Sequence, residues 1–478
     1  MRINIISLVI TIAFLAFSGF HTLVFSQATQ LTVEVKNFQR DTVLLAYFYG
    51  EKQYIADTAV RNSSDKFIFK PDSFYSTGLY LIVLPPDNQY TQIILTPKED
   101  NLTAILDAEK IHERPRIKGS QENQIFWDYL DFLTTKNAEA TSLKQALAEA
   151  PPIGQERELY QRKLEEIDQE VKTYQKELVA RNKNALAAAI VRANIEVELP
   201  EFSGEKQEAD KKRFYYYRSH YFDNLDLSDN RLLRTPVYFD KVDRFINKYT
   251  VQHPDSIIQA LDFLLEESSD NPETFKFLLV HFLNEYASSK FVGTDAMYVH
   301  LVDNYYARGL APWVEQEQLQ KMMDHAATLR PLLIGKIAPD IKVYKQDLTP
   351  ISLHDVKARY TILFFWAPDC GHCKKSMPDL VKFYEQYKDK GVEIFAVCTK
   401  LLEKEASCWE AVEEKGMINW INTSDKYLRS KFGQVYNVKS TPQVYVLDSN
   451  KEILTKQVAV EKLGEMMEII MKEEAEKQ

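Results

Sequence analysis

Two thiols, Cys370 and Cys373, flank Gly371-His372 directly after the apolar run 361–367 and directly before the helix-like stretch 374–378. That order is strand, thiol pair, helix. A helix opening between the sulfurs sets unpaired backbone N–H groups and the positive end of its dipole beside the first cysteine, which favours the thiolate there. Two sulfurs at this spacing close a small disulfide, so the chemistry implied is thiol–disulfide exchange.

A chain of 478 residues exceeds what one hydrophobic core organises, so two to three domains are expected. A net charge of −10, from 59 basic and 69 acidic residues, leaves no basic surface of the kind nucleic acid needs, and none is expected as a partner. The N-terminus reads as a secretory signal: Arg2, an apolar core over 3–25, then a small-x-small cleavage site after Ala28, with a cut after Ser26 as the variant. An uncleaved membrane anchor is the alternative, since the run approaches spanning length. The cysteines, Cys370, Cys373, Cys398 and Cys408, all fall near the end of the chain, and export places them in an oxidising compartment.

The hydrophobic period changes twice along the chain. Short alternating runs at 31–35, 42–49, 67–69, 79–84, 92–95 and 102–106, separated by turn formers, predict an antiparallel β sandwich or barrel. This stretch has no cysteine and His112 as its one histidine, which reads as a binding or packing module. From about 120 to 330 the period is helical. Six to nine helices are expected, with starts at Pro272-Glu273 and Pro312-Trp313 and breaks at Pro151-Pro152, Leu199-Pro200 and Pro254. The charged stretch 156–181 predicts a solvated helix face, and the aromatic stretch 214–217 predicts core. After Ile334 strands and helices alternate. Strands are expected at 341–344, 360–366, 392–397, 441–447 and 452–454, and helices from about 374 to 390, 402 to 415, 426 to 432 and 460 onward. That alternation predicts a mixed sheet covered on both faces.

A C-x-x-C pair is either redox-active or half of a zinc site. Cys398 and Cys408 are not spaced as a second zinc knuckle, so no metal is expected, and exchange between sulfurs needs no cofactor. Ser440-Thr441-Pro442, just before a strand, strengthens the redox reading. A cis bond to Pro442 would leave the Thr441 backbone free to pair with a peptide beside the disulfide.

The run Phe365-Trp366-Ala367-Pro368-Asp369-Cys370-Gly371-His372-Cys373-Lys374-Lys375, with Pro378 and Thr441-Pro442, resembles the thioredoxin-like domain of exported TlpA/ResA-type thiol–disulfide oxidoreductases. The signal pattern, the two changes of period and this resemblance together divide the chain into a signal peptide (1–28), a β-rich domain (29–118), a helical domain (119–330) and a thioredoxin-like domain (331–478). It implies that Cys370 attacks and Cys373 resolves, with Trp366, Thr441 and Pro442 completing the site. His372 forms the Gly-His dipeptide of disulfide isomerases and would stabilise the Cys370 thiolate. Two family carboxylates are missing, with Phe364 and Ser376 in their places, which leaves Glu393 as a candidate proton acceptor for Cys373 or as an outward-facing strand residue. Cys398 and Cys408, ten positions apart, are expected either as a structural disulfide or as a second redox relay. The implied partners are exported proteins with thiols or disulfides and a membrane or periplasmic redox partner. The chain is expected in the periplasm, soluble after signal cleavage. A different class of function, a client-binding scaffold that uses the thioredoxin-like part for docking, fits the same sequence. A peroxidase fits less well, because no lone peroxidatic cysteine is present.

Overall fold

The computed structural model describes residues 30–289, 291–400 and 402–477, so the expected signal peptide lies outside the described residues. The described chain forms two compact units. One runs up to Glu196 and includes Arg231–Phe239; the other comprises Val197–Asn230 and Asp240 onward.

In the first unit, eight strands form two four-stranded sheets. The strands are β1 (Leu31–Lys36), β2 (Thr42–Tyr49), β3 (Lys52–Val60), β4 (Phe67–Phe69), β5 (Gly78–Leu84), β6 (Gln89–Leu95), β7 (Leu102–Asp107) and β8 (Arg116–Lys118). The orders are β4-β1-β7-β8 and β3-β2-β5-β6. Alternate residues such as Leu31 and Val33 of β1, Val43 and Leu45 of β2, and Tyr80 and Ile82 of β5 point into one shared core, so the sheets make a sandwich. The pairing is antiparallel throughout except that β1 and β7 run parallel. Two strands that the alternation does not reveal, β3 and β8, are both edge strands with mostly exposed side chains.

Nine α-helices follow among the described residues before the last sheet. They are α1 (Gln121–Glu149), α2 (Gln155–Arg181), α3 (Leu186–Ala193), α4 (Lys206–Ser219), α5 (Pro236–Lys248), α6 (Pro254–Glu267), α7 (Pro272–Ser288), α8 (Asp295–Leu301) and α9 (Gln316–Leu329). Pro254 and Pro272 each occupy a first-turn position, where the missing N–H is not needed. Pro312-Trp313 lies in a turn, and α9 opens four residues later. Of the stretch 214–217, Tyr215 is exposed and the other rings are half-buried, with Tyr217 against Tyr221 and Tyr249.

The last part of the chain builds a seven-stranded mixed sheet from β9 (Lys342–Tyr344), β10 (Pro350–Ser352), β11 (Tyr360–Trp366), β12 (Val392–Cys398), β13 (Ile421–Ser424), β14 (Gln443–Leu447) and β15 (Ile453–Lys456). Its order is β10-β9-β13-β12-β11-β14-β15, with β11, β12 and β13 mutually parallel and β14 antiparallel to β11. The helices are α10 (Gly371–Tyr387), α11 (Ala406–Glu414), α12 (Phe432–Val435) and α13 (Leu463–Lys477). Every residue of β11 is buried, as expected for a central strand covered on both faces. Its alternate residues divide between two cores: Tyr360, Ile362, Phe364 and Trp366 face the α10 side, and Leu363 and Phe365 face the other. Helix α10 closes the first core with Cys373, Met377, Leu380, Tyr384 and Tyr387, a stripe at spacings of three and four. The helix expected over 426–432 is instead a loop held by Asp425, whose carboxylate accepts the N–H groups of Arg429 and Ser430; Leu428 and Lys431 take positive φ. Within the second unit, Lys456 of β15 is buried and paired with Asp295 at the start of α8.

Candidate active site

The thiol pair sits where β11 ends and α10 begins. Cys370 is the N-cap of α10, and its sulfur accepts the backbone N–H of Cys373 at 3.3 Å. The same thiol donates to the Thr441 carbonyl at 3.1 Å. Cys370 is half-buried, whereas Cys373, one helical turn on, is 1% exposed and packed into the core under α10.

Their environments separate the two thiols electrostatically. Partial burial pushes the Cys370 pKa up, but hydrogen bonds from the Cys373 thiol, the Thr441 side chain and the backbone N–H groups of Cys373 and His372 outweigh it and bring the pKa below the ordinary value. Burial pushes Cys373 up to about 12, reinforced by its hydrogen bond to Cys370. The contribution of His372 to this balance is its backbone N–H, and its exposed ring lines a neighbouring cavity beside Pro442.

Thr441 and Pro442 reach the sulfur because β14 lies antiparallel beside β11, with Gln443 opposite Phe365. The Thr441–Pro442 peptide bond is cis. Trp366 is 2% exposed, pairs in register with Cys398 on β12, and its carbonyl accepts the N–H of Thr399 at 2.8 Å.

Glu393 lies elsewhere. It is half-buried as the second residue of β12, and its carboxylate accepts from the Ile394 N–H and the Tyr384 hydroxyl. Tyr384 is eleven residues along α10 from Cys373, roughly 16 Å at 1.5 Å per residue, so Glu393 is out of reach of the buried thiol. Burial raises its pKa, a property of this remote position and not of the thiol site.

The sulfurs of Cys398 and Cys408 are bonded to one another, joining the end of β12 to α11 with Cα atoms 6.2 Å apart. Both residues are buried in the core that holds Cys373.

Around Cys370 opens a groove of about 550 Å³, bounded by Asp369, Thr399 and Lys400 on one side and Leu428, Lys431 and Thr441 among the residues of the other. Lys400 pairs with Asp369 at 2.7 Å. Of these, Thr399, Lys400, Leu428 and Lys431 escape motif reading. Their signal is topological: loops after parallel strands cluster at the strands' C-terminal ends, and Asp369 and Lys400 follow β11 and β12 there. No helix of the described residues is long and apolar enough to cross a membrane.

A central strand ending at a C-x-x-C pair on a helix N-terminus, faced by a cis-proline loop, defines a thioredoxin-like redox domain. The family model described as Redoxin matches residues 333–473, and one described as a domain of unknown function (DUF5106) matches residues 160–330. A thiol-disulfide oxidoreductase ResA of Bacillus thuringiensis (strain Al Hakam) is 30% identical over 139 residues, 29% of this chain and 77% of the relative. The chain belongs to the ResA-like family of thiol–disulfide oxidoreductases through this C-terminal domain. Among solved structures, a thioredoxin-like protein from Bacteroides caccae is 20% identical, covering 58% of this chain and 99% of that one, with a TM-score of 0.43. A thiol:disulfide interchange protein from Bacteroides sp. is 28% identical over 28% of this chain and 88% of its own, with a TM-score of 0.27. By its Redoxin match and its ResA relative, the chain is a redox enzyme of thiol–disulfide exchange.

Proposed function

We propose that the protein exchanges disulfides with other exported proteins, with Cys370 as attacking thiol and Cys373 as resolving thiol. The observation that carries this reading is the asymmetry of the pair: a half-buried sulfur with a lowered pKa stands in front of a buried one with a raised pKa.

In the reducing direction the Cys370 thiolate attacks one sulfur of a client disulfide, and the client's other sulfur leaves as a thiolate and takes a proton. The mixed disulfide removes the Cys370 thiol, and with it the hydrogen bond that helps hold the Cys373 proton in place. Burial still opposes ionisation, while the Ala367 backbone and the Thr441 side chain favour it. Cys373 then gives up its proton and attacks the Cys370 sulfur, releasing the second client thiolate and closing the Cys370–Cys373 disulfide. One client disulfide is reduced and one enzyme dithiol is oxidised; an oxidase runs the steps in reverse.

Thr441 supplies a carbonyl at the reacting sulfur, Pro442 shapes its approach, and Trp366 walls the strand end. His372 tunes the thiolate through its backbone and, when protonated, through its ring charge. The compartment is the periplasm, reached through the N-terminal signal, and a membrane or periplasmic partner resets the pair.

A trapping experiment tests the proposal. The Cys373→Ser variant, mixed with a periplasmic extract, should accumulate mixed disulfides at Cys370 that reductant releases, and Cys370→Ser should accumulate none. If the parent protein exchanges with no disulfide substrate while still capturing client proteins, the domain is a docking module.

A further inference from the structure

A second cavity, of about 260 Å³, lies within the second unit, where the helical segment meets the thioredoxin-like sheet beside the Ser440 loop. Tyr286 of α7, Tyr298 of α8 and His325 of α9 line it from the helical side, and Lys439 and Ser440 from the other. It is smaller than the ~300–1,000 Å³ typical of small-molecule sites and suits a single side chain.

Several polar side chains of its wall have no hydrogen-bond or ionic partner among the described residues. Tyr286 is only 7% exposed, yet its hydroxyl has no hydrogen-bond partner among the described residues. A phenolic O–H that lines a cavity and is taken by no protein acceptor is free to donate to an acceptor that enters. Lys439 forms no ion pair among the described residues. His325 packs its ring on Tyr298, with centroids 5.1 Å apart, and likewise has no hydrogen-bond partner among them. The carboxylate of Asp295, also in the wall, is already neutralised by Lys456. The wall therefore keeps a phenolic donor, an imidazole, the amides of Asn437 and Gln457 and, at its exposed rim, the Lys439 cation, while its Asp295 carboxylate is already paired.

The cavity is also close to the chemistry. Lys439 and Ser440 run straight into Thr441, whose carbonyl lies 3.1 Å from the Cys370 sulfur. Two residues of chain span at most about 7 Å. A client held by its cysteine at Cys370 and running along this loop would bring its second or third neighbouring residue to the cavity mouth.

We propose that this cavity receives an acidic side chain of the client, two or three residues from the client's reacting cysteine, so that the helical segment selects which sequences react at Cys370. The proposal rests on the exchange reading above and adds to it a substrate preference. Burial, and after it the nearby Lys439 charge, lowers the His325 pKa and keeps the imidazole neutral, a hydrogen-bonding group and not a second cation.

The test uses the reduced full-length protein and short peptides, each with one cysteine carried as a mixed disulfide with 2-thiopyridine and with Glu, Gln or Lys at the second or third position on either side. Attack by Cys370 releases thiopyridone and transfers the peptide to Cys370, from which Cys373 then frees it as a thiol, and the thiopyridone release rate is followed by absorbance. The Glu peptide should react about tenfold faster than the Gln peptide at one position, the scale of one hydrogen bond to a charged group. Salt should shrink the advantage. In Tyr286→Phe and Lys439→Gln, checked for native circular dichroism, the Glu/Gln ratio should fall towards one. Equal rates for all peptides, or a Glu advantage that survives in both variants, would overturn the subsite while leaving the exchange reading intact. No release with any peptide would overturn both.

Discussion

Raising the pH of the reduced protein should label Cys370 and leave Cys373 untouched, and the size of the difference follows from the site. An ordinary thiol at 9.0 is about one part in a hundred thiolate at pH 7; Cys370 lies below that value and is more ionised, while Cys373, at about 12, is ionised to about one part in 10⁵. The thiolate populations therefore differ by about a thousandfold or more. The more basic thiolate is intrinsically the better nucleophile, and a Brønsted coefficient of about 0.45 returns roughly 20-fold to Cys373. Ionisation alone leaves Cys370 ahead by about 50-fold, and the 1% exposure of Cys373 widens the gap. The assay is iodoacetamide labelling between pH 6 and 9, read residue by residue by mass spectrometry. The Cys370 rate should climb about tenfold per pH unit and level off before an ordinary thiol would. In Cys370→Ser, Cys373 should stay inert, because burial is the largest cause of its raised pKa. Comparable labelling of both cysteines in the parent protein would refute the assignment of roles.

The Cys398–Cys408 bond closes a loop of sequence separation 10, so replacing both cysteines with alanine should cost about 2.7 kcal/mol in chemical denaturation, by loop-closure entropy. An unchanged midpoint would contradict a structural role. Lys456→Met strands Asp295, whose partner is 4% exposed, and should destabilise by about 3 kcal/mol; Lys456→Met with Asp295→Leu should recover much of that loss. Equal losses in the single and double variants would refute the pairing argument. Gly391 sits at φ +85° after α10, where an added Cβ would come within 2.9 Å of the Arg359 Cβ, so Gly391→Ala should lower stability by about 1–2 kcal/mol in thermal unfolding.

What could be read from residues alone follows from how local the physics is. The β11 run, the thiol pair at the head of α10 and the Thr441–Pro442 loop are each written in a few consecutive residues, and the structure brings them together around one sulfur. The parallel pairing of β1 with β7 joins segments about seventy residues apart and leaves no mark in either one. Strand β3 is hidden because it is an edge strand whose solvent-facing side chains break the alternation, and β13 because Asn422 and Thr423 interrupt its apolar pattern. Over 426–432 helical spacing gives way to the Asp425 carboxylate, a side-chain acceptor that competes with the helix for backbone N–H groups. Glu393 carries in its own sequence no mark of its place at the start of β12, against Tyr384 and away from Cys373.

If Cys370 and Cys373 form one two-electron couple, equilibration of the protein against glutathione redox buffers, with trapped thiols counted per residue, will show it. These two thiols should appear and disappear together along a single two-electron curve while Cys398 and Cys408 remain bonded throughout. Independent titration of Cys370 and Cys373, or reduction of Cys398–Cys408 in their place, would contradict it.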